Sequence, residues 1–364
     1  MAKPKKTTGK VAFREALQLV SPGTILREAI SSILQSGSGA LICIGDPKRL
    51  AELSEGGVEI NATYTPQLLS ELAKMDGAII LNHDATRIVY ANRFLNPDTS
   101  IPTDETGTRH RAAERLAKQA ECLVVAVSER RSSVTLYVQD KKHACDNIPT
   151  LLNKAMQAIQ TLEKYVRSLR IATNDLTGRE FEDMVTIFDV CKVVQRCEMA
   201  SRIGREIEPR ILELGTEGRL IDMQLQELMI PVYEAELVIK DYYRAKPGVK
   251  FEQVTKRVSE ISQQDLIDLA SISQALGFGA NLKSIDTYLS PRGYRVLTET
   301  RRLTPQIIDA LVERFGTLQQ IARAPKEALV EVEGVGEVLA ERVRASLTSL
   351  RSQLALDHGR RQIP

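Results

Sequence analysis

The sequence predicts a three-part chain. An α/β mixed-sheet N-terminal domain comes first, then an all-α helical spacer, then a C-terminal helix-hairpin-helix domain. Three observations predict it. Short apolar runs alternate with amphipathic helical patterns from about residue 12 to 145. Strand signals then vanish across 150–240, which is almost free of Gly and Pro. Short helical patterns separated by Gly turns follow from about 290. The expected segments are 1–147, 148–289 and 290–364.

Residues 1–10 carry Lys3, Lys5, Lys6 and Lys10 among small polar residues and read as a disordered, solvated tail, with contact to nucleic-acid phosphate as the alternative. TILREAISSILQS (24–36) sets Ile25, Leu26, Ile30, Ile33 and Leu34 along one stripe and predicts a helix. ALICIGD (40–46) reads as a buried strand and TPQLLSELAKM (65–75) as a helix. GAIIL (77–81) and RIVYAN (87–92) flank the turn NHDAT as a hairpin. A loop over 96–107 leads into a helix on which Ala113, Leu116, Ala117 and Ala120 recur at helical spacing. CLVVAVS (122–128) and SVTLYVQ (133–139) form a second strand pair. Two hairpins exclude a purely parallel sheet. Long helical patterns at 151–172 and 181–214 suit a spacer or an oligomerisation element. TPQIIDALVERFGTLQQIARA (304–324) and 326–350 give the last helices, and DHGRRQIP reads as frayed.

The chain has 364 residues, 43% apolar and 4% aromatic with no Trp, which favours aliphatic cores and helix. Its 49 basic and 47 acidic residues leave a net charge of +2, which excludes a uniformly basic coat and permits local patches. Cys43, Cys122, Cys145, Cys191 and Cys197 match no zinc or CxxC spacing, and Cys43 and Cys122 read as core hydrophobes in a reducing compartment. No apolar leader or membrane span is seen, so a cytoplasmic protein without membrane partners is expected. No Walker A loop or HExxH motif is present.

Two stretches carry chemistry. VEGVGEVLAERVRASL (332–347) has the form of a G-x-G hairpin between helices, with Gly334 and Gly336 bracketing Val335. Glycine there tolerates the turn and lets a DNA phosphate approach backbone amides. Lys326, Arg342, Arg344 and the earlier Arg292, Arg295, Arg301 and Arg302 would supply the cations, against Glu331, Glu333, Glu337 and Glu341. The alternative is a helical pair that packs protein only. The second stretch is DETGTRHRAAERLAKQA (104–120), which places Arg109, His110 and Arg111 at a helix start, where cations are disfavoured. With the amides, Gly107 and Thr108, two guanidiniums would converge on one di- or triphosphate. The plain alternative is surface arginines paired to Asp104, Glu105 and Glu114. Asp76, ahead of Gly77 and an apolar strand, suits a divalent metal or a hydroxyl to be oriented, or is simply a turn aspartate.

DGA at 76–78, ANRFLNPD at 91–98, IPTDETGTRHRAAERLAKQ at 101–119 and SVTLYV resemble the diadenylate cyclase domain. The helical centre with ELGTEGRLIDMQLQEL (213–228) and SPRGYRVL with the hairpin extend the resemblance to the DNA-integrity scanning diadenylate cyclases, over essentially the whole chain. That resemblance implies condensation of two ATP into cyclic di-AMP with release of two pyrophosphates, using Mg²⁺ or Mn²⁺. It implies cyclase domains meeting face to face in a homo-octamer, and binding of branched DNA that lowers activity. On it, Asp76 orients or deprotonates the 3′-hydroxyl and helps hold the metal. Gly107, Thr108, Arg109, His110 and Arg111 hold the phosphates, Gly77 admits the nucleotide, Leu95 packs on adenine and Ser128 lies near the base. The family often has Thr after RHR, where this chain has Ala112, so one hydroxyl contact is missing while the amide remains. A non-catalytic protein of DNA repair that binds nucleotide and DNA is the competing reading, and a helical adaptor binding neither is a third.

Overall fold

The computed structural model describes residues 13–129, 133–244, 249–279, 286–300 and 302–361, with side chains up to Gln353. The lysine tail, Arg301 and residues 362–364 lie outside them. The N-terminal part runs α1 (Phe13–Leu19), α2 (Ile25–Gln35), β1 (Ala40–Ile44), α3 (Pro47–Glu52), β2 (Ser54–Glu55), β3 (Val58–Thr63), α4 (Pro66–Leu72), β4 (Ala78–Leu81), β5 (Arg87–Leu95), α5 (Thr108–Ala120), β6 (Leu123–Ser128), β7 (Ser133–Val138) and β8 (Lys141–Cys145). The strands form one mixed sheet in the order β2-β5-β4-β1-β6-β7-β8, with β3 also paired to β5. Only β1 and β4 run parallel among these pairs, and both expected hairpins are present as antiparallel pairs. The short strands β2, β3 and β8 escape the sequence reading, because each is mostly polar or exposed and lacks the apolar run of a central strand.

Both faces of the sheet are covered. Ala40, Ile42 and Ile44 of β1 point to a core shared with Leu26, Ile30 and Ile33 of α2 and Leu69 of α4. Leu41 and Cys43 point the other way, to Leu50 of α3 and Ala113, Leu116 and Ala117 of α5. Strict alternation of sides along the strand therefore requires apolar residues at every position of ALICI, which is buried throughout. Cys43 and Cys122 sit in this second core, as expected.

The helical part comprises α6 (Ile148–Glu182), α7 (Ile187–Leu214) and α8 (Arg219–Tyr242). α6 ends ten residues later than its sequence pattern suggests and α7 starts at Ile187. Asp183 adopts φ 59° and stops the first helix. Thr186 and Asp189 then exchange side chain-to-amide hydrogen bonds, a reciprocal cap that starts the second. The remainder is α9 (Phe251–Glu260), α10 (Leu269–Ala275), α11 (Tyr294–Thr298), α12 (Pro305–Phe315), α13 (Leu318–Arg323), α14 (Lys326–Val330) and α15 (Glu337–Arg361). α15 continues to Arg361, through the stretch that reads as frayed. By packing, the chain forms two compact units, one of residues 1–157 with 206–223 and one of 158–205 with 224–364.

In the second unit, Glu180 of α6 and Arg295 of α11 form a buried ion pair, and Tyr242 donates to the same carboxylate at 2.8 Å. Asp241 accepts the amides of Gly293, Tyr294 and Arg295 at 2.7, 2.6 and 3.0 Å and so caps α11.

Candidate functional site

The sheet register gathers residues that are far apart in sequence. Leu41 pairs with Ala78 in the parallel β1–β4 ladder, so Gly39 and the Asp76–Gly77 pair precede neighbouring strands at one sheet end. Ala40 pairs with Val127, which puts Ser128 at that end, and Ala78 pairs with Arg93, which brings the end of β5 with Leu95. Arg109 joins them: its guanidinium lies against Gly39, where a Cβ would collide with Nη1. Gly39 is thus the missing side chain that lets α5 reach the sheet end, and nothing in its own sequence neighbourhood signals it.

α5 begins at Thr108 after the N-cap Gly107, with no side-chain cap and no acidic residue in its first turn. Its first amides and positive dipole end are therefore available to an anion. The suspected surface pairing of its arginines is not made. Glu105 binds Tyr137 at 2.7 Å and Lys142 at 2.5 Å, and Glu114 binds Lys118 at 2.8 Å and Thr103 at 2.5 Å. Among the described residues no carboxylate lies within ion-pair distance of Arg109 or Arg111, and both are exposed. Convergence of both guanidiniums from one face does not follow, however. Residues two apart on a helix leave it about 200° apart, and of the two it is Arg109 whose guanidinium reaches Gly39.

His110 turns inward. Its Nδ1 lies 2.8 Å from the hydroxyl of Tyr137, which donates to Glu105. Since that hydroxyl proton is spent on Glu105, its oxygen accepts from Nδ1–H. Burial raises the Glu105 carboxyl, yet hydrogen bonds from Lys142 and Tyr137 outweigh it and hold the group below its ordinary range. Burial, with Glu105 beside it, pushes the Tyr137 phenol far up, so it stays a donor. Sequence reasoning missed Tyr137 and Lys142, and offered Glu105 only as a partner of the arginines. The available signal was a tyrosine in the aliphatic strand SVTLYV, whose hydroxyl needs a partner once buried.

The polar side of α5 fastens the preceding loop. Arg115 Nε donates to Ile101 O at 2.9 Å, Lys118 Nζ to Pro102 O at 3.0 Å, and Asp98 N–H to Gln119 Oε1 at 2.9 Å. The Gly107–Arg111 turn is therefore pinned before any ligand arrives.

Other expected residues behave less simply. Asp76 is exposed and makes no hydrogen bond or ion pair among the described residues. The room at Gly77, φ 153°, is taken by Asn92, whose backbone carbon would sit 2.7 Å from a Cβ. The close approach permitted there is that of β5. Leu95 is 9% exposed and belongs to the core beneath α5, which leaves only its edge for a base. Ala112 packs its methyl on that same core, a physical reason for an apolar residue where a hydroxyl was expected.

The hairpin departs further from expectation. Gly334 has φ 82°, and a Cβ there would meet Ile307 Cγ1 at 3.2 Å, so its glycine serves turn and packing. Gly336 opens α15, accepting from Leu339 and Ala340, with nothing within 4 Å of its Cβ direction. Val335 is 4% exposed, so its side chain belongs to the core and only its backbone can face a ligand. Arg295 is buried against Glu180, and Arg292 donates to Lys240 O and Tyr243 O at 2.7 and 2.9 Å. Both are therefore structural and unavailable to DNA, because Glu180 of α6 holds Arg295 and carbonyls at the end of α8 hold Arg292. Lys326 is paired to Glu337 at 3.2 Å. Arg344 is exposed and Arg342 half-buried.

Fold and sites together define a nucleotide-binding α/β domain joined by a helical linker to a helix-hairpin-helix domain. Family models match in that order: DisA bacterial checkpoint controller nucleotide-binding at 27–142, the DisA linker region at 145–285, and a SAM-like helix-hairpin-helix tandem at 294–348. The DNA integrity scanning protein DisA of Carboxydothermus hydrogenoformans is 49% identical over 93% of this chain and 96% of its own. Those of Clostridium perfringens and Symbiobacterium thermophilum are each 46% identical over 95% and 97%. The chain belongs to the DisA family. Among the described residues no helix is long and apolar enough to cross a membrane.

Proposed function

We propose that this chain is a diadenylate cyclase that condenses two ATP into cyclic di-AMP and two pyrophosphates, and that its activity responds to bound DNA. The observation that carries the reading is an uncapped helix start whose Arg109 and Arg111, like Asp76 at the same sheet end, have no ion pair among the described residues. An ATP triphosphate supplies the anion that this helix start lacks.

Each 3′-oxygen attacks the α-phosphorus of the other nucleotide. The new O–P bond forms as the bond to the β-phosphate oxygen breaks, and pyrophosphate leaves with that electron pair. Catalysis of such a step is chiefly positioning and charge neutralisation. Asp76 orients the 3′-hydroxyl and takes its proton. The α5 amides, Thr108 and Arg109 hold the phosphates, with His110, whose ring Tyr137 fixes. Ser128 lies beside the base. Two nucleotides cannot react within one such site, so two domains meet face to face. The opposite departure of Arg109 and Arg111 suits one arginine serving its own nucleotide and the other that of the facing domain. We take the assembly to be a homo-octamer on family resemblance.

A single free carboxylate does not make a protein-only metal cage, but it fits Mg²⁺ or Mn²⁺ held mainly by substrate phosphates. Asp76 would hold that ion, which supplies charge neutralisation on the phosphates. The helix-hairpin-helix would bind DNA, branched in our reading, through the Gly334–Gly336 backbone with Arg342 and Arg344. The test is incubation of the full chain with ATP and Mn²⁺, with product resolved by chromatography. Cyclic di-AMP from the wild type and none from Asp76→Asn is expected. ATP bound but unconverted under several metals would overturn the reading.

A further inference from the structure

Away from the nucleotide site, the described residues bring one other set of ligating side chains together. An imidazole nitrogen of His143, the Cys145 thiol and a carboxylate oxygen of Glu213 all lie within 4.8 Å of one another. We propose that His143, Cys145 and Glu213 form a binding site for a zinc-class divalent cation, which staples the last strand of the sheet to the end of α7.

Three features of the site carry this. First, the donors are one nitrogen, one sulfur and one oxygen, a set that suits Zn²⁺ and not Mg²⁺ or Ca²⁺. Second, the fold presents them together. His143 and Cys145 are two apart on β8 and so share a face of the strand. β8 is the terminal strand of the sheet order, so its outer edge is free for α7 to approach. Glu213 stands in the last turn of α7. Third, the carboxylate is already oriented. One of its oxygens accepts the amide of Asp146 at 3.2 Å, while the other lies 2.9 Å from His143 Nε2. A tetrahedral Zn²⁺ with bonds of about 2.0–2.3 Å separates its ligand atoms by about 3.3–3.8 Å. The three donors therefore need only small rotations. The His143 side chain is 31% exposed, which leaves a water as fourth ligand.

The charge balances. A thiolate, a carboxylate and a neutral imidazole carry −2 and offset the ion. Without a cation, burial and then the Glu213 charge push the Cys145 thiol up to about 12, against the opposing Arg27 guanidinium. Binding therefore releases the thiol proton to solvent, together with any proton on His143, as the Zn–S bond forms. His143 and Glu213 are 70 residues apart, and the chain between them passes through the other compact unit. Closing so long a loop makes the ion a stabiliser of the fold. The proposal does not depend on the cyclase reading, because none of the three residues belongs to that site.

The test uses the full chain stripped with a chelator, then titrated with Zn²⁺ against a chromophoric competitor and separately with Co²⁺. One Zn²⁺ per chain is expected, with a rise in Tm, and Cys145→Ser should weaken binding at least as much as loss of an outer-shell partner does, about 10- to 100-fold. Bound Co²⁺ should show a thiolate-to-cobalt charge-transfer band that Cys145→Ser removes. Cys43, Cys122, Cys191 and Cys197 are buried, so the band reports Cys145. No Zn²⁺ bound, Co²⁺ bound without the thiolate band, or Cys145→Ser binding as tightly as wild type would each overturn the proposal. The wild-type cobalt spectrum decides even if the variant fails to fold.

Discussion

Two of the helices that start after a glycine, α5 and α15, arrange their charges in opposite ways. α5 follows Gly107 with no acid in its first turn and with Arg109 and Arg111 unpaired. α15 follows Gly336 with Glu337 in its first turn, and that glutamate holds Lys326. Nearby, Arg314 is likewise taken by Glu331. Both helix starts offer free amides to a phosphate, but among the described residues the first turn of α5 carries two cations without an ion pair, whereas the cation beside the first turn of α15, Lys326, is committed to Glu337. The first suits a small, highly charged anion. At the second, the backbone can meet phosphate while the flanking carboxylates limit how strongly and how indiscriminately it does so.

The largest effect that would break this contrast is at α5. Arg109→Ala with Arg111→Ala is expected to cut cyclic di-AMP formation at least about a hundredfold, with DNA affinity unchanged in a gel-shift assay. Retained turnover would mean that the unpaired arginines are not a phosphate clamp. At the hairpin, Gly334→Val forces a β-branched residue into φ 82° and against Ile307, so thermal melting should show a lower Tm. Gly336→Val projects into open space and should leave Tm nearly unchanged while weakening DNA binding. Equal junction affinity in Gly336→Val and wild type would remove the hairpin backbone from the interface.

Tyr137→Phe sharpens the first site. It breaks the link between His110 and Glu105, and turnover should fall about 10- to 100-fold through misplacement of His110, mostly in kcat. It also removes a hydrogen bond that holds Glu105 low. Because the folded Glu105 sits below its ordinary value, its contribution to stability is complete above that value and disappears as pH falls through the depressed one. The variant should therefore lose less stability on acid titration and finish losing it at a higher pH than the wild type, and an acid limb identical to wild type would contradict the network. The smallest effect concerns Glu337→Gln. It frees Lys326, so DNA binding should tighten and the slope of log K against log salt should steepen by about one phosphate contact.

Much of the site was readable one segment at a time. GTRHR advertised an anion through cations in the wrong place, and short apolar runs bounded by turn residues marked the strand pairs. What escaped has a common cause. Gly39, Tyr137 and Lys142 act only on partners distant in the chain, and no local pattern encodes such a partner. Arg292 and Arg295 misled for the same reason. As residues they are surface cations, and only the fold commits one to helix carbonyls and the other to Glu180.

By itself the sequence determined the division into a mixed-sheet domain, a helical stretch and a terminal hairpin domain, because hydrophobic periodicity and glycine placement are local consequences of backbone geometry. Tertiary structure alone decided which charges are spent and which remain free. That depends on parallel register between β1 and β4, on the crossing of Arg109 over Gly39 and on the burial of Tyr137, all of which are set by packing between segments far apart in the chain. The methyl of Ala112 shows the difference in one atom group: in the sequence it is an absent hydroxyl, and in the fold it is part of the core under α5.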